Sequence, residues 1–88
     1  MKDNPLNINE IEVNTRQDFA RFLVLLQHDL QENPHEWENR TLSDFLEALS
    51  RYTEDIEYFY KNTQQNINAD TPSWRVFADI FRGAKVYE

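Results

Sequence analysis

Two histidines and a scatter of carboxylates are the side chains here whose types and spacing suggest chemistry. His28 and Glu32 stand four residues apart, one helical turn, and His35 follows after Pro34. Together they make a minimal donor set for a divalent metal. The set is incomplete, because no second histidine stands four residues after His35 to finish a zinc-protease motif. Two histidines with no cysteine anywhere make a weak ligand group. The expected reading is exposed polar residues around a helix end, with no metal and no cofactor.

Carboxylate pairs are expected by chance, since 16 of 88 residues are acidic. Glu47–Arg51, Arg51–Asp55 and Glu57–Lys61 sit at i,i+4, the spacing of solvated ion pairs on a helix. The pattern forces no acid into an apolar pocket, where a raised pKa would mark a catalytic acid. Ser43, Ser50 and Ser73 lack the strand–turn–helix setting of a nucleophilic serine. No catalytic residue is expected, and the chain is read as a non-enzyme.

The elements that would position these side chains are helical. The first helix is expected over residues 15–32. Thr15 caps it, with Asp18 three residues on, and Phe19, Phe22, Leu23, Leu26 and Leu30 share one face. Val24 and Leu25 lie off that face, so the helix is either packed on two sides or offers apolar surface to a partner. Asn33-Pro34 ends it. The second helix is expected over 41–62, capped by Thr41. Leu42, Phe45, Leu46, Leu49, Tyr52, Ile56, Phe59 and Tyr60 form its stripe. The third is expected over 73–85, entered through Thr71-Pro72-Ser73, with Trp74, Phe77, Ile80, Phe81 and Ala84 facing inward and Gly83 near its end. Residues 1–14 read as an arm, in which Ile11 and Val13 alternate around Glu12 as in a short extended piece. The expected fold is all-α: a small three-helix bundle with an N-terminal arm and a polar crossing over residues 62–70.

Charge narrows the partner class. Net charge is −7. Residues 29–57 carry nine acids and two bases, which accounts for the whole imbalance. Nucleic acid needs a basic surface, so it is not an expected ligand, whereas a basic protein is. No membrane span and no signal peptide are read, and the expected compartment is the cytoplasm. At about 100° per residue, the second helix turns Tyr58 away from its apolar stripe, among Asp44, Glu47, Arg51, Glu54 and Asp55. An aromatic ring among acids makes a candidate binding face for such a partner. Self-association through Val24 and Leu25 is the alternative, which leaves a homo-oligomer open.

Trp37-Glu38-Asn39-Arg40-Thr41-Leu42, then Phe45-Leu46-Glu47-Ala48-Leu49, then Pro72-Ser73-Trp74-Arg75 and Phe77-Ala78-Asp79-Ile80, ending in Tyr87-Glu88, resemble a family of small bacterial proteins of unknown function. The resemblance covers about residues 13–88. It implies a bacterial, cytoplasmic, stand-alone domain and brings no activity, cofactor or catalytic residue with it. Small acidic proteins of this style are similar to immunity proteins that neutralise toxins, so an immunity-type inhibitor of a basic toxin or nuclease is the sharpest functional expectation. Within the signature, Asn39 and Thr41 are expected to order a turn and cap the second helix. Trp37 and Trp74 are expected to anchor that turn and the third helix together, and Glu88 to pair with Arg40 or Arg75.

Overall fold

A computed structural model describes residues 8–88; residues 1–7, half of the expected arm, lie outside the described residues. Three α-helices follow in order: α1 (Arg16–Glu32), α2 (Leu42–Asn62) and α3 (Trp74–Ala84), with a single 3₁₀ turn, Pro34–Glu36, between the first two. No described residue is in a strand.

Each helix begins where a short hydroxyl side chain satisfies a free backbone N–H of the first turn. The Thr15 hydroxyl accepts from Asp18 N–H at 3.0 Å, and the Asp18 carboxylate accepts in return from Asn14 N–H at 3.0 Å. Thr41 accepts from Asp44 N–H at 3.1 Å and Ser73 from Val76 N–H at 3.1 Å. Pro72 thus lies just outside α3 rather than in its first turn. The end of α2 uses a device with no glycine to announce it. Gln64 takes a left-handed φ of 58°, while Gln65 N–H bonds to Tyr60 C=O at 2.8 Å and Gln64 N–H to Lys61 C=O at 3.1 Å. These are the paired bonds of a Schellman stop, with glutamine where glycine is usual.

The hub is α3. Both α1 and α2 pack on it, whereas the backbones of α1 and α2 stay farther apart from each other. Small residues make this possible, for Ala78 and Ala84 are wholly buried within α3. One core cluster joins Phe22 and Leu26 of α1, Trp37, Ala78 and three arm residues, Ile8, Ile11 and Val13. The described part of the arm is therefore part of the core, and Glu12 points outward between Ile11 and Val13. A second cluster joins Tyr52, Ile56 and Tyr60 of α2 to Val76 of α3. Ile67 and Ala69 of the polar crossing fold against it, as do Ile80 and Tyr87.

The Trp-Glu-Asn segment acts as a receptor for the end of α3. Asn39 Nδ2 donates to the Ala84 carbonyl at 2.9 Å and to the Tyr87 carbonyl at 2.8 Å. Glu38 and Asn39 N–H groups both reach the Lys85 carbonyl, at 3.1 and 3.2 Å. Carbonyls left without partners by the end of the helix are thereby satisfied from 45 or more residues away in sequence. Trp37 and Trp74 do not meet. They terminate a relay of rings instead: Trp37–Phe45 at 5.7 Å, Phe45–Phe81 at 5.9 Å, Phe81–Phe19 at 5.7 Å and Phe19–Trp74 at 5.5 Å.

Beyond α3 the chain turns back over α2. The Tyr87 ring lies 5.0 Å from that of Tyr52, and its hydroxyl donates to Asp55. Glu88 is not held by Arg40 or Arg75. The Arg40 Nε bonds to the Trp37 carbonyl and Arg75 reaches Gln65 and Asp79, so both are committed locally. Arg51 takes their place, donating to the backbone oxygen of Glu88. Deleting Tyr87 and Glu88 should cost on the order of 1–2 kcal/mol, since it strips an aromatic pair from Tyr52 and leaves Asp55 without its donor. A thermal melt checks this; an unchanged Tm would show that the tail is not part of the folded unit.

Candidate binding face on α2

The buried side of α2 is Ala48, Tyr52, Ile56 and Tyr60. It is narrower than the stripe expected from periodicity, because the tail and α3 both close on Tyr52. Leu42 and Leu46, expected in the stripe, consequently stand 73% and 54% exposed. Phe59 and Phe77 are also more open than expected for core residues.

The six expected face residues divide into two groups. Asp44, Glu47, Glu54 and Tyr58 are exposed. Tyr58 is 56% exposed, and Lys61 Nζ sits 5.8 Å from its ring centroid, so the ring already faces a cation. Arg51 is exposed too but reaches toward the tail, and Asp55 is half-buried. The Arg51 guanidinium lies 5.9 Å above the Tyr87 ring while pairing with Glu47 at 4.0 Å, and Asp55 is half-buried under the Tyr87 hydroxyl. That hydrogen bond to a carboxylate holds the Tyr87 phenol above its ordinary value. Among the described residues, the carboxylates of Asp44 and Glu54 have no ion-pair partner, which leaves the outer ridge of α2 a negative, partly aromatic surface.

Two half-buried carboxylates elsewhere are saturated and hold structure. Asp79 accepts from the Tyr60 hydroxyl and from Arg82, each at 2.7 Å. Arg82 in turn donates to the carbonyls of Ile8 and Ile11, which pins the arm to α3. Asp29 accepts from Lys85 Nζ at 2.8 Å, Trp37 Nε1 at 2.8 Å and Asn33 Nδ2 at 3.2 Å. Burial by itself would raise the Asp29 carboxyl; the bonds from Lys85, Trp37 and Asn33 together outweigh it and hold the group below its ordinary value. A depressed folded-state pKa stabilises the fold above the unfolded value and is lost as pH falls through the folded one. The Tm gap between wild type and Asp29→Asn should therefore be widest near neutral pH and shrink below about pH 4. A gap that stays constant from neutral to acid pH would show that the carboxylate's charge does not matter.

His28, Glu32 and His35 are all exposed, with His35 Nε2 3.9 Å from Glu36. Among the described residues, no three His, Cys, Asp or Glu side chains are grouped to hold a metal ion. No helix of the described residues is long and apolar enough to cross a membrane. Neither the curated proteins nor the solved structures include a match to this chain. Residues 15–88, which hold all three helices and the Asn39 receptor but not the buried arm, match the family of unknown function DUF7660, and the chain belongs to that family.

Proposed function

We propose that this protein is a non-catalytic interaction module that captures a basic protein in the cytoplasm through the outer ridge of α2. The observation that carries this reading is the ridge itself. Asp44, Glu47, Glu54 and Tyr58 are exposed, and among the described residues no other element covers them. Acids arrayed around a rigid ring steer a cationic surface and give the ring something to stack against. In its sharpest form the partner is a basic toxin or nuclease, and the module an immunity-type inhibitor of bacterial origin.

Affinity capture from native-host lysate at low and high salt, read by mass spectrometry, should yield one basic partner that is lost at high salt. Glu47→Lys with Glu54→Lys should weaken that partner by at least about tenfold, roughly 1.4 kcal/mol. The exposed Glu47–Arg51 pair contributes little to stability, so the double variant should still fold. Retention of the partner at wild-type affinity would exclude this ridge.

A further inference from the structure

A cleft of about 370 Å³ opens where the second half of α2 meets α3, a size that small-molecule sites share. Tyr52 and Phe59 give it an aromatic side, and Gln65, Arg75, Asp79 and Arg82 a polar one. Phe59 is 39% exposed, with its ring 6.4 Å from that of Tyr52. Tyr52 is the unusual member. The residue is only 9% exposed, yet among the described residues its hydroxyl has no hydrogen-bond partner. The hydroxyls of Tyr60 and Tyr87, by contrast, donate to Asp79 and Asp55. A buried phenol normally finds a partner. The Tyr52 hydroxyl is not sealed in either, since no described side-chain N or O is both wholly buried and unpartnered. A buried ring with an accessible hydroxyl opens into the cleft it lines, and offers a donor there.

Charge sets the sign of the ligand. Arg75 and Arg82 flank Asp79 along one side of α3, four residues before it and three after. The Asp79 carboxylate is occupied: Arg82 and the Tyr60 hydroxyl each donate to it at 2.7 Å, and Arg75 Nε stands at 3.6 Å. The other donors of Arg82 go to the arm carbonyls. The Arg75 side chain is 53% exposed, and its Nη2 donates to Gln65 Oε1 at 2.6 Å, which fixes the guanidinium at the rim. Its Nη1 has no partner among the described residues. Two guanidiniums to one carboxylate leave a local positive charge in a chain of net −7. Glu10 and Glu12 of the arm line the adjoining cavity instead. A guanidinium and a phenol O–H beside an aromatic side are the donors and the surface that a carboxylate on a flat apolar body requires.

We infer that this cleft binds a small aromatic carboxylic acid, its carboxylate between Arg75 Nη1 and the Tyr52 hydroxyl and its ring against Phe59. The site shares no residue with the α2 ridge, so the two readings stand or fall separately.

Benzoate and phenylacetate are the probes; benzyl alcohol lacks their charge and acetate their ring. Titration of the full chain, followed by amide chemical shifts, should move Gln65, Arg75 and Gly83 with the two aromatic acids only. Tyr52→Phe removes a hydroxyl that holds nothing within the described chain. Its melt should match wild type while its affinity for benzoate falls about tenfold or more. Arg75→Gln, on a half-exposed side chain, should weaken benzoate to a similar extent. Full benzoate affinity in either variant would overturn the assignment, and a lowered Tm in Tyr52→Phe would show that the hydroxyl already has a structural partner. Equal binding of benzyl alcohol would overturn the role of charge, and equal binding of acetate or tighter binding of inorganic phosphate that of the aromatic side. Absence of shifts, or shifts confined to other residues, would overturn the site.

Discussion

Gly83→Ala should lower the melting temperature by about ten degrees. A Cβ at residue 83 would lie 2.0 Å from Tyr52 Cε2, 2.3 Å from Cζ and 2.6 Å from Cδ2. Alanine in a helix interior is ordinarily favoured over glycine by about 1 kcal/mol, so the sign depends on whether the ring can yield. It is poorly placed to do so. Tyr52 is buried, with Tyr87 at 5.0 Å and Phe59 at 6.4 Å from its ring. Either α3 must lift from α2 or the ring must leave its rotamer. Overpacking of this kind costs about 1–3 kcal/mol, and a rigid ring so close argues for the upper end. Set against the helix preference, about 2 kcal/mol remains, and at roughly 4–8 °C per kcal/mol for a domain this size the net loss is about 8–16 °C. Tyr52→Leu combined with Gly83→Ala should recover part of the loss, a non-additive result expected only of residues in contact. A Gly83→Ala single variant that melts with wild type would refute the close approach.

Asp79→Ala should cost about 3 kcal/mol. It removes the acceptor of the buried Tyr60 hydroxyl and the counter-ion of Arg82, whose side chain is only 18% exposed. Removing one member of a buried pair costs about 3–5 kcal/mol. The lower end applies here because Arg82 keeps the carbonyls of Ile8 and Ile11 and because both partners retain some contact with water. Asp79→Asn retains an acceptor and should cost less. A second readout separates electrostatics from packing. Tyr52 is pushed up to about 12, by burial first and then by the negative charges of Asp79 and Tyr87. Tyr60 is raised as well, by burial and then by Asp79. Raised phenol values stabilise the fold below the ordinary tyrosine range, and that contribution is lost as pH climbs through the folded values. In Asp79→Asn, both phenols should ionise at lower pH in an alkaline absorbance titration. Unchanged ionisation would show that Asp79 does not influence the two rings.

Helix starts were legible because a cap is a local event: Thr15, Thr41 and Ser73 act on N–H groups three residues away. Features that depend on partners distant in sequence were not. Nothing in the spacing of Ile8, Ile11 and Val13 says that α3 covers them, since the bond that holds the arm spans 74 residues, from Arg82 to Ile8. Gly83 reads locally as a helix stop, but its φ is not positive and its role is to admit a ring from α2. Gln64 carries no trace of its left-handed conformation because the usual glycine is missing. The candidate face was legible in the same measure. Helical geometry alone places Asp44, Glu47, Glu54 and Tyr58 outward, whereas the engagement of Arg51 and Asp55 by Glu88 and Tyr87 depends on where the tail folds. The exposure of Leu42 and Leu46 was hidden because both satisfy the period of a buried stripe, and only the closure of α3 and the tail on Tyr52 turns them out.

Placing the hub in the last helix has a consequence for how the chain is made. A polypeptide leaves the ribosome from its N-terminus at about 5–20 residues per second. The arm, α1 and α2 all emerge before residues 74–84, the surface on which they pack. Until then Phe22, Ile56 and Tyr60, the largest fully buried side chains, have no α3 to cover them. Folding of this domain is thus postponed until α3 has emerged. A message truncated before codon 74 would yield a product with amphipathic segments and nothing to bury them against.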